Sequence, residues 1–363
     1  MNSFNQSARP LLFWSLIGLL AAFPVFLFLL NKNGIGWSPA VGLTMVVIAA
    51  FFIQAFIVKI FSGKESHVFY RQLLGILAAV WLCAYLAGLP VLKVMDCFIL
   101  SFGTFHAFAR IGCFRAGCCH GRAASKGVCY SKEHGIEPHY ENVRLFPVQL
   151  AEASGVTLIA ASGILMFFHA HADGAVFTFY LGSYAVLRFA LEFFRGDTDR
   201  PYKLGLSEAQ WTSWLILAGL TVTGWAGGLP ASIILYAETV FIFLLACLWI
   251  FYFRFLPVVQ TRQVNFIDEF ARWLHARMKS ADPYEIAVKN TGFGLRLSFQ
   301  QTAAEPAQYL FAYSGPVEKN AQAMSRSSMK MLKRIFFPQA DVAEIKKENG
   351  FIFFLVTVKK TAA

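Results

Sequence analysis

The sequence predicts an all-α, multi-pass transmembrane bundle of about seven to eight helices, followed by a small soluble α+β domain. Of its 363 residues, 57% are hydrophobic and only 15% are charged, and the mean hydropathy is +0.53. A soluble globular domain carries about 25% charged residues. Apolar stretches of about 20 residues recur, each long enough to cross a hydrocarbon core of about 30 Å. We therefore divide the chain into a membrane part, residues 1–256, and a soluble tail, residues 257–363.

Eight apolar stretches qualify as membrane spans. They cover residues 11–30, 38–60, 71–89, 94–112, 148–168, 174–194, 209–227 and 231–253. Spans 71–89 and 209–227 are the weakest, because glycines and polar residues interrupt them. The first span follows Arg9-Pro10, is too long for the apolar region of a signal peptide and has no small-x-small cleavage site after it, so we expect an uncleaved helix.

The soluble tail carries helix and strand patterns but no catalytic motif. Apolar residues at helical spacing predict helices over 265–279 and about 317–336. Runs rich in aromatic and β-branched residues predict strands over 292–300, 308–315 and 351–358. Together these elements predict a small α+β domain.

The basic residues predict which side of the membrane each segment faces. The net charge is +11, and from Arg254 onward 16 Lys and Arg residues stand against 9 Asp and Glu residues. With eight spans, the two termini share one side with the loops 61–70, 113–147 and 195–208. Of the basic residues before Arg254, only Lys32 and Lys93 fall on the opposite side. Because basic loops stay in the cytoplasm, we expect the tail and the cysteine loop, residues 113–147, to be cytoplasmic; there the tail can contact anionic headgroups.

The cysteine loop opens with reactive residues, in the stretch ARIGCFRAGCCHGR (109–122). Four of them are potential metal ligands: Cys113, Cys118, Cys119 and His120. Zinc sites, however, usually pair cysteines about two to four residues apart with a second distant pair, and adjacent cysteines rarely ligate one ion comfortably. We therefore expect no metal and no cofactor. An alternative interpretation is a tight loop that packs closely through its glycines, Gly112, Gly117 and Gly121.

Two further polar features lie in apolar helices. Arg110 comes four residues after His106 and therefore lies on the same helical face. An arginine in a membrane helix is costly and indicates function by default. Further on, Pro147 can begin a helix on which Gln149 and Glu152 share one face. Ordinary polarity at a helix start is the alternative interpretation of these two residues.

A polar stripe follows in the stretch GSYAVLRFALEFFRGDTD (182–199). Tyr184, Arg188 and Glu192 succeed one another at four-residue spacing, and Arg195 comes three residues later. One interpretation is an internal Arg188–Glu192 ion pair that holds the bundle together. The other is that arginines of two helices face a phosphate, since guanidinium binds phosphate through two parallel hydrogen bonds.

These three segments, in this order and spacing, resemble the prolipoprotein diacylglyceryl transferase family. The family's Gly-Arg-x-Gly-Asn-Phe signature, with a Gly-Arg soon after it, is similar to residues 109–122. Its His-Pro-Ser-Gln-Leu-Tyr-Glu segment is similar to FPVQLAE (146–152). Its Tyr-x-x-x-Arg…Glu-Phe-Phe-Arg helix is matched by residues 184–195, and Gln210 stands at the start of the next helix. The resemblance covers about 70–225.

The resemblance implies a bacterial-type inner-membrane transferase. Such enzymes move the diacylglyceryl group of phosphatidylglycerol to a cysteine thiol of a lipoprotein precursor and release glycerol phosphate. Cations must then face the leaving phosphate, a role that the resemblance gives to Arg110 and Arg188, with Tyr184 donating a hydrogen bond to the substrate. The implied substrate-binding positions are Tyr70, Cys113, Gly121, Arg122, Gln149, Glu152, Glu192 and Arg195.

The sequence departs from the family where a general base is expected. Residues 70–72 read Tyr-Arg-Gln where the family has His-Gly-Gly at the start of its third helix, and Cys113 replaces an asparagine. We expect the acceptor thiol to lose its proton to His106, to His120, or to a thiolate at Cys113 or Cys118 whose pKa the neighbouring arginines lower.

Three functions remain open at this point. A prolipoprotein diacylglyceryl transferase takes phosphatidylglycerol as donor and a protein thiol as acceptor. A paralogue would use a phospholipid donor with a different, cytoplasmic acceptor, either a protein or a small molecule; the charge bias favours it because the family acts on the outer face. A non-catalytic lipid-binding or transport scaffold would recruit a partner through its tail. All three act at the membrane, and none involves nucleic acid.

Overall fold

The described residues up to 256 form eight α-helices in a computed structural model of the protein. The structure describes residues 2–62, 69–134, 136–169, 171–197, 201–230, 232–256, 260–261, 263–279, 285–291, 295–302, 308–314, 318–348 and 351–358. The helices are α1 (Asn2–Lys32), α2 (Trp37–Ser62), α3 (Phe69–Leu86), α4 (Val91–Ala116), α5 (Val148–Phe167), α6 (Ala175–Glu192), α7 (Glu208–Trp225) and α8 (Ile233–Phe255). They match the eight predicted spans in order, which confirms the multi-pass helical bundle.

Five of these described helices are long and apolar enough to cross a membrane by themselves. The qualifying segments are Arg9–Lys32, Trp37–Gln54, Val91–Ala116, Val148–Phe167 and Ile233–Phe255. The remaining three, α3, α6 and α7, have 18 residues each. The weakness predicted for spans 71–89 and 209–227 corresponds to α3 and α7. Helix α6 is less apolar because it carries charged side chains, and these face the bundle interior, where eleven of its residues are buried.

The relative position of α4 and α6 is set by a buried carboxylate. Asp96 of α4 accepts hydrogen bonds of 2.7 Å from the backbone N–H groups of Gly174 and Phe177, at the first turn of α6. A carboxylate there satisfies donors that the helix leaves unpaired and compensates the positive end of its dipole. Arg110 lies 14 residues after Asp96, and Arg188 lies 14 residues after Gly174. Equal helical rise therefore brings the two arginines to the same end of the bundle.

The cysteine loop folds over that end of the bundle. It contains strand β1 (Ala123–Val128) and two short 3-10 turns (Lys132–His134 and Pro138–Tyr140). The Gly121 N–H donates to the Phe146 carbonyl at 3.1 Å, and a Cβ atom at Gly121 would lie only 2.3 Å from that carbonyl oxygen. Gly117 ends α4 with a φ of +75°, in the left-handed region. The predicted close packing through glycines is confirmed at these positions.

Helix α7 begins at a capping box that also ties it to α6. Strands β2 (Tyr202–Lys203) and β3 (Leu206–Ser207) pair antiparallel just before it. The Ser207 hydroxyl accepts the backbone N–H of Gln210 at 3.3 Å, and the Gln210 side-chain oxygen accepts the Ser207 N–H at 2.9 Å. The Gln210 amide also donates to the carbonyl of Phe189 in α6. This hydrogen bond from α7 fixes the end of α6 that bears the arginines.

The tail folds as an antiparallel sheet with two helices. The helices are α9 (Val264–Met278) and α10 (Glu318–Phe336), and the strands are β4 (Ala287–Asn290), β5 (Arg296–Thr302), β6 (Gln308–Ser314), β7 (Asp341–Glu348) and β8 (Phe351–Thr357). Their order is β4-β5-β6-β8-β7, with every neighbouring pair antiparallel. The predicted α+β class, both helices and strands β5, β6 and β8 are confirmed, while residues 292–294 of the first predicted strand lie outside the described residues.

Strands β4 and β7 are the two that the sequence pattern missed. Both lie at the edges of the sheet, and β7 has charged residues at five of its eight positions. Edge strands commonly carry charges that discourage pairing with other chains, so the apolar alternation that identifies a strand is weak there. A register shift between Glu344 and Lys346 interrupts the alternation of β7 further.

A second hydrophobic core joins the tail to the cysteine loop. Tyr130, Tyr140 and Leu145 of the loop belong to the same cluster of buried side chains as Phe270 and Leu274 of α9. Two segments that share one hydrophobic core must lie on the same side of the membrane. The cysteine loop and the tail therefore face the same compartment. The division of the chain after residue 256 stays a prediction.

A buried ion pair lies within this contact. Nε2 of His139, in the cysteine loop, is 2.9 Å from Oδ1 of Asp268 in α9, and each side chain is 2% exposed. Burial alone raises the pKa of Asp268, but the hydrogen bond and charge of His139, together with the charge of Arg272, lower that pKa below its ordinary value of 3.8.

We expect Asp268→Asn to lower the Tm at pH 7 and to lower it less at pH 3. A carboxyl whose pKa is lower in the folded chain contributes stability above its ordinary pKa, and that contribution is lost as the pH falls through the folded-state pKa. Thermal unfolding of the purified chain in detergent, followed at both pH values, measures the difference. Glu269→Gln is the matched control, because Glu269 makes only an exposed pair with Lys289 and such pairs contribute about 0–1 kcal/mol. An unchanged Tm for Asp268→Asn at pH 7 contradicts the role given to this pair.

Candidate active site

Glu152 is the hub of a polar cluster buried between α4, α5 and α6. Its side chain is completely buried, and Oε1 lies 3.0 Å from Nη2 of Arg110 on α4. The other oxygen, Oε2, accepts a 3.2 Å hydrogen bond from Nη1 of Arg188 on α6. The Tyr184 hydroxyl donates to Oε1 at 2.9 Å, and His106 Nε2 lies 3.6 Å from the same oxygen. The structure therefore brings together four of the predicted side chains around Glu152, so ordinary helix-start polarity is the wrong interpretation of this residue.

Two further carboxylates complete the charge balance of the cluster. Arg188 Nη2 is 2.6 Å from Glu192 Oε1, which confirms the ion pair predicted within α6. Arg195, just beyond α6, donates from Nε and Nη2 to the two oxygens of Asp197, at 2.8 and 3.0 Å. The buried guanidinium groups of Arg110, Arg188 and Arg195 are thus matched by the carboxylates of Glu152, Glu192 and Asp197.

Two guanidinium N–H groups of the cluster have no hydrogen-bond acceptor among the described residues. They are Arg188 Nε and Arg195 Nη1. Both side chains are almost fully buried, at 2% and 1% exposed. Arg195 Nη1 lies 3.9 Å from the nearer oxygen of Glu152, which is too long for a hydrogen bond. A buried N–H group without an acceptor costs about 1–3 kcal/mol, and more when it is charged. An anionic ligand that reached these two donors would remove that cost.

A thiol cluster lies at the end of α4, beside the arginines. The Sγ atoms of Cys113, Cys118 and Cys119 all lie within 4.8 Å of one another. Cys119 adopts a φ of +55°, in the left-handed region that few non-glycine residues occupy. This backbone turn brings two adjacent cysteine side chains to one place. The sequence argument held that adjacent cysteines rarely ligate one ion comfortably; the structure nevertheless brings their sulphur atoms together.

Hydrogen bonding among the thiols separates their acidities. Bonds to Cys113 and to Cys119 raise the pKa of Cys118. Hydrogen bonds from Cys113 and Cys118 lower the pKa of Cys119 well below its usual value, and the charges of Arg195 and Arg110 lower it further. These directions do not favour the Cys118 thiolate that the sequence argument predicted. The thiol whose pKa the arginines lower is that of Cys119, which that argument left out.

Three other predicted residues connect the cysteine loop to the polar cluster. Gln149 donates to the carbonyl of Cys118 at 2.8 Å, and Arg122 Nε donates to the carbonyl of Arg195 at 3.0 Å. Gly121 forms an isolated antiparallel bridge with Arg195. Their contacts hold the loop against the polar cluster at the backbone, so these residues position the arginines and the thiols.

His120 contacts residues of the cysteine loop through its ring. Among the described residues its ring contacts the Gly121 carbonyl at 3.0 Å and the Tyr140 ring, with 5.2 Å between ring centres. Tyr140 belongs to the core that joins the cysteine loop to the tail. His120 thus packs against a residue of that core, and its role as a base stays a prediction.

Comparison with known proteins assigns the chain to a family. A sequence model of the family described as prolipoprotein diacylglyceryl transferase matches residues 16–225. The chain belongs to the prolipoprotein diacylglyceryl transferase family. A phosphatidylglycerol–prolipoprotein diacylglyceryl transferase from Clostridium tetani is 32% identical over 161 residues, covering 44% of this chain and 63% of the relative. One from Dehalococcoides mccartyi is 26% identical over 161 residues, covering 44% and 60%. One from Idiomarina loihiensis is 30% identical over 227 residues, covering 60% and 76%.

The family match stops short of the tail. The chain spans about three fifths of the length of the first two relatives, and the matched residues 16–225 end within α7. Every residue of the arginine, carboxylate and thiol clusters falls inside the matched segment. Family membership and the apolar helices together make this a multi-pass bacterial membrane protein.

In this diacylglyceryl transferase family member, Tyr70 lies next to the cluster, between Tyr184 and Ser213 of α7. Its hydroxyl lies 2.7 Å from the Ser213 hydroxyl on α7, and its ring centre is 6.0 Å from that of Tyr184. His106 Nε2 accepts a 3.2 Å hydrogen bond from Arg110 Nε, so the lone pair of that nitrogen is already engaged. Both residues are therefore engaged with other side chains of the bundle at the atoms described.

Asp197 is the functional carboxylate that the sequence argument did not include among the site residues. It follows Arg195 by two positions, in a turn just after α6. Its pairing with Arg195 through both oxygens depends on the conformation of that turn, for which the sequence offers no periodic signal. Only the proximity of an Asp to a membrane arginine pointed to it.

We expect Glu152→Gln to lower the free energy of unfolding by about 3–5 kcal/mol, because it leaves Arg110 and Arg188 with too little compensating charge in a buried site. Thermal or denaturant unfolding of the purified chain in detergent measures the loss. Glu238→Gln is the matched control, since Glu238 lies on α8 and is only partly buried. A Glu152→Gln variant as stable as the control would contradict the central place of this carboxylate.

Proposed function

We propose that this protein transfers the diacylglyceryl group of phosphatidylglycerol to a cysteine thiol of a prolipoprotein and releases glycerol phosphate, at the bacterial inner membrane. The printed names of its relatives give the reaction class. The observation that carries the proposal is the buried arginine cluster, in which Arg188 Nε and Arg195 Nη1 have no hydrogen-bond acceptor among the described residues. A phosphate is the ligand whose oxygens match such donors.

The cluster suits a reaction that develops charge on a leaving phosphate. In this transfer the acceptor sulphur attacks a glyceryl carbon, and the carbon–oxygen bond to phosphate breaks. Negative charge then accumulates on the phosphate oxygens. Arg110 and Arg188 are held in fixed orientations by Glu152, so they need little reorganisation as the charge develops. Burial strengthens the interaction, since the surroundings screen it less than water does.

The two guanidinium donors that lack an acceptor support a phosphate position beside Arg188 and Arg195. Its oxygens can accept from Arg188 Nε and Arg195 Nη1 without displacing Glu152 or Glu192 from their present pairs. Tyr184 holds Glu152 through its hydroxyl and therefore orients the hub carboxylate more directly than the substrate. The acyl chains of the donor remain among the apolar surfaces of the surrounding helices.

A second candidate function is transfer of the same group to a cytoplasmic acceptor. It is favoured by a cleft of about 470 Å³ between the cysteine loop and the tail. The cleft is lined by three cations, Arg122, Lys330 and Arg334, together with apolar side chains that include Phe146 and Phe194. Its tail side lies outside the segment matched to the family, so an acceptor bound there would be particular to this chain.

We expect Arg188→Lys and Arg110→Lys each to lower the release of glycerol phosphate by at least about 100-fold while the protein still folds. A lysine keeps the charge but cannot reproduce the planar donor geometry, and removing one such donor costs about two to three powers of ten in rate. The assay is release of labelled glycerol phosphate from labelled phosphatidylglycerol by purified protein. Arg71→Lys is the control, since Arg71 is exposed and pairs with Glu208 at the protein surface. Near-normal turnover by Arg188→Lys would remove the arginine cluster from the mechanism.

We propose that the tail and the cysteine loop face the cytoplasm, as the basic residues indicate. A membrane-impermeant thiol reagent applied to intact cells should therefore leave Cys129 unlabelled, although Cys129 is exposed in the cysteine loop. The same reagent should label it once the membrane is permeabilised. Cys129→Ser, treated in parallel, identifies the signal as that of this residue. Ready labelling of Cys129 in intact cells would instead place the loop and the tail outside, and would favour the prolipoprotein acceptor over a cytoplasmic one.

A further inference from the structure

The three thiols at the end of α4 have the spacing of a metal site with three protein ligands. The Sγ atoms of Cys113, Cys118 and Cys119 lie within 4.8 Å of one another. Zinc binds thiolate sulphur at about 2.3 Å, which puts two sulphurs of a tetrahedral site about 3.8 Å apart. Small side-chain rotations close the remaining gap, since all three side chains are only partly buried.

No fourth ligand joins these sulphurs from the described residues. The group of ligand atoms that lie together consists of the three cysteines alone, and the nearest histidine along the chain, His120, is engaged with Gly121 and Tyr140. Structural zinc sites are closed by four protein ligands, whereas catalytic sites have three and keep one position for water or substrate. The arrangement of this cluster matches the second kind.

We propose that Cys113, Cys118 and Cys119 bind a zinc ion whose fourth coordination position takes the acceptor thiol. The acceptor is that of the proposed transfer, so this inference rests on the proposed function. Zinc bound by three thiolates carries one net negative charge. Arg110 and Arg195, which interact electrostatically with the cysteines, lie where they compensate it.

A metal would supply the thiolate without a side-chain base. The lone pair of His106 Nε2 already accepts from Arg110, and Tyr70, where the family has a histidine, bonds to Ser213. The transfer nevertheless requires a thiolate. A zinc ion lowers the pKa of bound water to about 7 and deprotonates a coordinated thiol outright. The cluster therefore provides a route to the thiolate that needs no side-chain base.

The proposed step balances as follows in atoms and electrons. The acceptor thiol replaces water on the zinc ion and gives its proton to solvent. Its sulphur then attacks the glyceryl carbon, so that a carbon–sulphur bond forms and the carbon–oxygen bond to phosphate breaks. The electron pair of the broken bond leaves on the phosphate oxygen, near Arg110 and Arg188. The product thioether no longer carries a charge on sulphur and is displaced from the metal by water.

The first test is metal content. Purified full-length protein in detergent, loaded with zinc and freed of excess, should retain about one zinc per chain. Cys119→Ser and Cys118→Ser should each weaken binding by more than about 100-fold, while Cys129→Ser, in the same loop but outside the cluster, should keep it. Thermal unfolding checks that each variant folds. Absence of bound zinc in the wild type, or undiminished binding in Cys119→Ser, would overturn the proposal, as would a disulfide formed within the cluster under reducing conditions.

The second test is the open position, and it needs neither turnover nor a mutant. Cobalt substituted for zinc in the wild-type protein should show thiolate-to-cobalt charge transfer and the strong visible bands of a tetrahedral ion. N-acetylcysteine amide should shift those bands, and N-acetylserine amide should not. Bands that fail to respond to the thiol would show a closed site and refute the acceptor role. A protein that binds zinc and the thiol but releases no glycerol phosphate would refute the proposed transfer and leave the metal site standing.

Discussion

The burial of the guanidinium groups of Arg110 and Arg188 at one end of the bundle depends on Glu152. A charged group buried without a partner is prohibitively costly, and this carboxylate lies between Arg110 and Arg188 with no exposure to solvent. It follows that α4, α5 and α6 must meet there at one depth. Asp96 of α4 fixes that depth because it caps α6 at Gly174. Arg110 follows Asp96, and Arg188 follows Gly174, by the same number of residues. The bundle is therefore organised by compensation of charge as much as by packing of apolar side chains.

The same end of the bundle carries two chemically distinct sites side by side. The arginines offer hydrogen-bond donors to an anion, and the thiols offer soft ligands to a metal ion. The cysteine loop joins them. In the backbone, the Arg122 N–H donates to the Phe194 carbonyl, and the Gly196 N–H donates to the His120 carbonyl. A displacement reaction needs its nucleophile and its leaving group on opposite sides of one carbon, within a few ångströms. The electrostatic interaction of Arg110 and Arg195 with the cysteines shows that the two sites are neighbours, as the proposed displacement requires.

The tail is bound to this site by a core of its own. It packs on the cysteine loop through buried aromatic side chains and the His139–Asp268 pair, so a change in one segment reaches the other through the loop. The family match ends before the tail, and the tail adds cations to the cleft beside Arg122. In this chain the diacylglyceryl transferase scaffold has thus acquired a soluble cover next to its polar cluster, on one and the same side of the membrane.

The sequence by itself determined the membrane bundle, the α+β tail and most of the polar residues that meet at Glu152. Long apolar runs and helical spacing are local properties, and a charge in such a run is conspicuous because it is costly. The edge strands β4 and β7 escaped detection because their side chains are hardly buried. Only the tertiary structure decided that Glu152 pairs with both Arg110 and Arg188, that the His120 ring packs on Tyr140, and that Cys113, Cys118 and Cys119 converge. Those outcomes depend on the left-handed φ of Cys119 and on contacts between residues far apart in sequence, which no local pattern contains.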